Sequence, residues 1–144
     1  MTLLGSNLMV YCFFIFSAAA EQFFFMMQRS ALEISRASGI DGREGRRMLP
    51  NWYLMVWPAR LIKWAAAIYI GIETSWFVAA LLLVATFLFQ VFVPIPHGQF
   101  IPVFRRKLAK ELGGAVQTGS GAESGNYARL YKKLFEASKD SRFE

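Results

Sequence analysis

The chain has 144 residues, of which 55% are hydrophobic, 16% are aromatic and only 18% are charged. An average soluble domain is roughly 45–50% apolar and about 25% charged. A chain this short leaves much of its surface exposed, so it cannot enclose so much apolar surface in one aqueous core. The composition therefore argues against a water-soluble enzyme, a disordered chain and a disulfide-stapled secreted domain.

Three apolar segments follow one another along the chain, at about 3–27, 52–72 and 76–94. Each is long enough for a membrane-spanning helix, which needs about 20 residues. The polar turn Glu73-Thr74-Ser75 separates the second segment from the third. The sequence thus predicts an all-α integral membrane protein with three transmembrane helices.

Two boundaries allow other interpretations. The second span could start only after Arg60 and Lys63, which would join 64–94 into one very long helix or a re-entrant hairpin, with 48–57 lying flat at the interface. Ala18-Ala19-Ala20 resembles a signal-peptidase site, but residues 1–7 carry no basic side chain and the apolar run continues beyond it. We therefore expect an uncleaved first helix.

Basic residues are concentrated in the segments 28–51 and 105–144, whereas residues 1–7 and 73–75 contain no Lys or Arg. Lys and Arg collect on the cytoplasmic side of membrane proteins, and three spans place both basic segments on the same side. The sequence predicts an N-terminus outside, a cytoplasmic C-terminus and location in a bacterial inner membrane.

The remainder of the chain divides by composition. Residues 1–98 form the predicted transmembrane region with its basic loop 28–51, and residues 99–112 form a basic interfacial segment. The glycine-rich stretch 113–125 predicts a flexible linker. Residues 126–144 predict a short amphipathic helix with Asn126 as its N-cap.

Polar side chains inside the predicted spans form the first candidate site, an intramembrane cluster of Glu21, Arg60, Lys63 and Gln90. Because the helices alternate in direction, these side chains could meet in the inner half of the bilayer, where an unpaired cation is costly. The cluster could line a proton or ion path or receive a partner's helix. In the simpler interpretation, Glu21 pairs with one cation while the long basic side chains reach toward the headgroups.

Small residues in the spans, including the pair Ala67 and Gly71, allow helices to approach closely. They predict either packing within the bundle or a lateral interface with another membrane protein.

Two further candidate sites lie beyond the spans. Four cations beside Phe100 and Phe104 predict contacts with anionic lipid headgroups rather than with nucleic acid: Arg105, Arg106, Lys107 and Lys110. The apolar face of the tail helix predicts docking to a cytoplasmic partner, to the protein's own 28–51 loop or to the membrane. That face consists of Tyr127, Leu130, Tyr131, Leu134 and Phe135.

Catalytic motifs such as HExxH, GxSxG or a P-loop do not occur in the sequence. His97 is interpreted as an interfacial turn residue and Cys12 as a small apolar residue, so no metal or cofactor is expected. The leading hypothesis is a non-catalytic accessory subunit or assembly factor of a larger membrane complex. The alternative is a small homo-oligomeric transporter or pore lined by the intramembrane charges, and a membrane enzyme acting on lipid is third.

Overall fold

The structure is a computed structural model that describes residues 3–119 and 121–139. Helices account for nearly all of this part of the chain. They are α1 (Leu3–Ala37), α2 (Gly42–Gly45), α3 (Val56–Glu73), α4 (Trp76–Phe92), α5 (His97–Gln117) and α6 (Gly121–Ala137), with short 3-10 helices at Arg46–Met48 and Asn51–Met55. The all-α prediction is confirmed for the described residues.

The first helix is longer than the predicted 3–27 because α1 continues to Ala37. Residues 28–37 are more polar than 3–27, but they contain no Gly or Pro that would end a helix. The stop signal is Gly39, whose φ of 65° is left-handed. The amide of Ile40 donates to the Ser35 carbonyl and that of Gly39 to the Arg36 carbonyl, which is a Schellman cap.

The second and third helices agree closely with their predicted bounds. The 3-10 helix at Asn51–Met55 leads into α3, and α3 ends at Glu73. The hydroxyl of Ser75 accepts a 3.2 Å hydrogen bond from the Phe77 amide and so caps the start of α4. The predicted polar turn is therefore confirmed, and one continuous helix over 64–94 is wrong.

Most of the glycine-rich stretch 113–125, which was predicted to be a flexible linker, is helical in the described residues. Helix α5 continues to Gln117, and α6 begins at Gly121, five residues before the predicted cap Asn126. A helix-interior glycine costs only about 1 kcal/mol relative to alanine. Packing of α5 against α6 outweighs that cost, and Ala115 within this stretch is buried.

By length and apolarity, two helical stretches could cross a membrane, Asn7–Ala37 and Asn51–Glu73. The number rises to three if α4 and α5, separated by a short break, form one broken span. Helix α4 itself has 17 residues, the lower limit for a spanning helix. The molecule is thus a helical protein with two or three candidate membrane spans.

The chain divides into two compact units. The apolar unit contains the chain up to Phe25 together with Tyr53–Pro94, and the basic unit contains Met26–Trp52 together with the chain from Ile95 onward.

The core of the apolar unit combines Phe14 of α1 with small and branched side chains of α3 and α4, namely Ala66, Ala67, Ile70 and Ala79. Gly71 adjoins the Trp76 ring so closely that a Cβ at Gly71 would lie 2.5 Å from Trp76 Cε3. The small-residue pair Ala67 and Gly71 therefore serves packing between α3 and α4.

The core of the basic unit forms where α5 packs against α6 and against the 3-10 helix at Arg46–Met48. Its fully buried side chains come from α1, the 3-10 helix at Arg46–Met48, α5 and α6, and they include Met27, Ile34, Met48, Phe104, Leu108, Leu130 and Leu134.

Gly45 of α2 tests the packing of this unit. A Cβ at Gly45 would overlap the buried Ser35 hydroxyl, which donates a 2.6 Å hydrogen bond to the Ala31 carbonyl. We expect Gly45→Ala to lower the free energy of unfolding by about 1–3 kcal/mol, as overpacking does, measured by chemical denaturation in detergent.

The matched control is Gly114→Ala, because nothing lies within 4 Å of a Cβ at that helix-interior position. This variant should be more stable than the parent by about 0.5–1 kcal/mol. Equal effects of the two substitutions would contradict the packing of α2 against α1.

Candidate functional site

Glu21 of α1 is the centre of the predicted intramembrane cluster, and it lies in the apolar unit. Its carboxylate is 6% exposed. The Nε atom of Arg60 donates a 3.0 Å hydrogen bond to Glu21 Oε1, and the ammonium of Lys63 forms an ion pair with Oε2. Both cations come from α3, one helical turn apart, so α1 and α3 are joined through one carboxylate.

The two cations differ in their surroundings. Lys63 is 7% exposed, whereas the side chain of Arg60 keeps 38% of its surface. The Arg60 guanidinium lies 5.5 Å from the centre of the Trp57 ring, a cation–π distance. Arg60 thus reaches outward along an aromatic side chain, while Lys63 depends on Glu21 for its neutralisation.

Gln90 takes no part in the hydrogen bonds or ion pairs at Glu21 within residues 3–119 and 121–139. It lies half-buried on α4. Depth along a helix fixes only how far a residue lies from the helix end, and the direction in which it points depends on packing. Both carboxylate oxygens of Glu21 form ion pairs with cations of α3. These ion pairs join α1 to α3.

Gln22, the neighbour of Glu21, was missed by sequence reasoning. Its side chain is 6% exposed, and neither amide atom has a hydrogen-bond partner among the described residues. Gln22 is one of the residues that line a groove of about 500 Å³ between α1 and α4, although its two amide atoms are themselves covered. The other lining residues are almost all apolar, including Phe14, Ala18, Ala19, Ala85 and Phe89. In the sequence, the one feature that pointed to Gln22 is its position next to the charged residue Glu21.

His97 is the first residue of α5, not the turn residue that the sequence predicted. In the basic unit its Nδ1 lies 2.9 Å from the Ser30 hydroxyl, and its Nε2 lies 3.0 Å from a carboxylate oxygen of Glu33. Ser, His and Glu are the residue types of a hydrolase triad, but Ser30 has no exposed surface and cannot meet a substrate. The contacts position the start of α5 beside α1.

The four candidate headgroup cations lie on α5, and they divide between two faces. Arg106, Lys107 and Lys110 line a groove of about 320 Å³ together with the chain at 50–52. Arg105 lies elsewhere, with its guanidinium 5.3 Å from the centre of the Phe135 ring.

The predicted docking face of the tail helix is largely used inside the basic unit. Leu130 and Leu134 are each 1% exposed, Tyr127 and Tyr131 are half-buried, and Phe135 is 44% exposed. This leaves Phe135 as the exposed member of the face.

Polar contacts hold the same helix against the 28–51 segment. Arg129 donates to both carboxylate oxygens of Glu44, at 2.7 and 2.9 Å, and Lys133 donates to the Gly39 carbonyl at 3.5 Å. Helix α6 therefore contacts the protein's own 28–51 segment, which is one of the three predicted docking surfaces.

A search of the described residues finds no group of three or more His, Cys, Asp or Glu side chains that could hold a metal ion. No known family model, curated protein or solved structure matches this chain.

Lys63 provides a test of the charge cluster. Glu21→Ala leaves a buried ammonium unpaired, and we expect it to lower the free energy of unfolding by about 3–5 kcal/mol. The double variant Glu21→Ala with Lys63→Met should recover most of that loss, because an apolar side chain of similar length replaces the orphaned charge. Unfolding in mixed micelles, followed by far-ultraviolet circular dichroism, measures both.

The control is Glu73→Ala, which removes an exposed carboxylate at the end of α3 and should change stability little. A double variant as unstable as Glu21→Ala alone would show that Lys63 does not depend on Glu21.

The adjacent residues Leu134 and Phe135 test whether the apolar face of α6 packs inside the basic unit. Leu134→Ala should cost about 2–5 kcal/mol, as large-to-small core substitutions do, whereas Phe135→Ala should cost about 1 kcal/mol through its contacts with Arg105 and Lys139. Hydrogen exchange of the α5 amides measures the loss of protection. The reverse order of effects would contradict internal packing of α6.

Proposed function

We propose that this protein is a non-catalytic accessory subunit of a larger membrane complex. In this proposal the groove between α1 and α4 receives a transmembrane helix of another protein. The chain crosses the membrane three times, with its N-terminus outside and both basic segments on the cytoplasmic side of a bacterial inner membrane. The observation that carries the proposal is the unpartnered, buried amide of Gln22, a residue that lines that groove. In the proposal its side chain turns into the groove when the partner helix binds.

The shape of the groove fits a helix. Ala18 and Ala19 of α1 face Ala85 of α4 across it. Small side chains let helix backbones approach closely, which is how helices associate in lipid without a hydrophobic driving force. Large exposed apolar side chains that line the groove, such as Ile15 and Phe89, add contact surface.

The hydrogen-bonding groups of Gln22 indicate what kind of molecule binds in the groove. An amide without hydrogen bonds in an apolar medium costs several kcal/mol. Lipid acyl chains offer neither donor nor acceptor, so they leave this cost in place. A partner helix with a Ser, Thr, Asn, Gln or backbone carbonyl at the same depth removes it.

The alternative, a homo-oligomeric pore, has less support. It needs Glu21, Arg60 and Lys63 to line a path, yet these side chains pair with one another, and Glu21 and Lys63 are buried within one chain. Groups engaged in this way present little charge to a passing ion.

Gln22→Leu tests the accessory role. We expect it to reduce recovery of the partner by about 3- to 30-fold, corresponding to the loss of one interhelical hydrogen bond of roughly 0.6–2 kcal/mol. The isolated chain should become no less stable, since an unpaired amide is replaced by an apolar side chain. Affinity purification from native membranes in mild detergent, with quantitative mass spectrometry, measures the recovery.

Gln90→Leu is the matched control, because Gln90 lies on α4 but does not line the groove. It should retain the partner at the parent level. Equal losses in both variants would contradict the groove, and purification of a symmetric homo-oligomer that conducts ions would replace this proposal with the pore.

A further inference from the structure

A second, chemically different groove lies in the basic unit. It has a volume of about 320 Å³, and it is lined on one side by Asn51 and Trp52 and on the other by α5. The lining residues of α5 are Val103, Arg106, Lys107 and Lys110. The volume is at the lower end of the range of about 300–1,000 Å³ typical of small-molecule sites.

The sequence spacing explains why the cations share this groove. Residues 103, 106, 107 and 110 follow the i, i+3, i+4, i+7 pattern of one helix face. Phe104 and Leu108, on the opposite face, are completely buried. The core therefore fixes the rotation of α5, and this rotation directs the cations into the groove.

One of the three cations is anchored, and two are free. The Nζ atom of Lys107 donates to the side-chain oxygen of Asn51 at 2.8 Å and also pairs with Glu111. Arg106 and Lys110 are exposed, and no carboxylate among the described residues lies within ion-pair distance of either. After Lys107 is neutralised by Glu111, the groove keeps two positive charges.

The position along the chain relates the groove to a membrane surface. Asn51 and Trp52 are the first two residues of the candidate span Asn51–Glu73. The end of a span lies at the level of the lipid headgroups, where tryptophan is enriched. Trp52 is 47% exposed, as expected for a ring that contacts lipid at that level.

From these observations we propose that the groove is a binding site for the headgroup of an anionic phospholipid. Arg106 and Lys110 contact the phosphate, for which the planar guanidinium offers paired donors. Asn51 and the ammonium of Lys107 form the polar wall, and Trp52 packs beside the glycerol and the first acyl carbons. Two uncompensated charges favour a lipid with net negative charge over a zwitterionic one. This site does not depend on the proposed accessory role, because it uses other residues.

The test compares Arg106→Ala/Lys110→Ala with Arg46→Ala/Arg47→Ala. Each pair removes two exposed cations from the basic unit, but only the first pair lines the groove. The full chain in neutral detergent is titrated with phosphatidylglycerol, phosphatidylcholine or inorganic phosphate, and native mass spectrometry counts the bound molecules. Far-ultraviolet circular dichroism verifies that each variant keeps its helices.

We expect the parent to bind phosphatidylglycerol in preference to phosphatidylcholine. The groove variant should bind it roughly 30-fold more weakly, at about 1 kcal/mol per lost cation. For the Arg46→Ala/Arg47→Ala variant, the affinity for phosphatidylglycerol should change by less than about threefold, because exposed charges outside the site are screened. Equal weakening in both variants, or no preference for the anionic lipid, would overturn the proposal. Inorganic phosphate binding at least as tightly as phosphatidylglycerol would also overturn it, in favour of a soluble anion.

Discussion

The apolar unit depends on one buried carboxylate that forms ion pairs with two cations of α3. Glu21 carries the negative charge, and Arg60 and Lys63 of α3 provide the positive charges. Removing a charge from water costs several kcal/mol unless a partner compensates it. Because Lys63 is almost completely buried, the position of α3 relative to α1 is limited to arrangements that keep this contact. The core of Phe14, Ala66, Ala67, Ile70 and Ala79 packs within that limit.

The same unit contains a polar group that it does not satisfy. Gln22 follows Glu21 directly, yet it lies among apolar side chains without a hydrogen bond in the described part of the chain. The contrast between the two neighbours supports the accessory role. Charges that stabilise the fold are paired within the chain, and the unpaired amide belongs to a residue that lines the proposed docking groove. The basic unit shows the same division, since Lys107 is paired while Arg106 and Lys110 remain free in their groove.

Sequence reasoning located the cluster at Glu21 but not its exact membership. Burying a charge has one inexpensive solution, an opposite charge nearby, so Glu21, Arg60 and Lys63 could be matched from type and depth alone. Gln90 was included because it lies at a similar depth, but in the described part of the chain it forms no hydrogen bond or ion pair with Glu21. The tail helix shows the same limit. The apolar period of Leu130 and Leu134 predicted that a surface would cover this face, and α5 and the 28–51 segment of the same unit provide it.

The composition and periodicity of the sequence determined the properties that depend on moving apolar side chains out of water. They predicted the all-helical class, helices long and apolar enough to be candidate membrane spans, and the turn before α4, because apolar length and a capping side chain act locally. Tertiary packing determined the properties that depend on a neighbour. The helical conformation of 113–117 and 121–125 and the groove beside Gln22 arise from contacts between different helices. A single sequence does not encode such contacts in its local pattern, because many pairings of the same amphipathic faces have similar free energies.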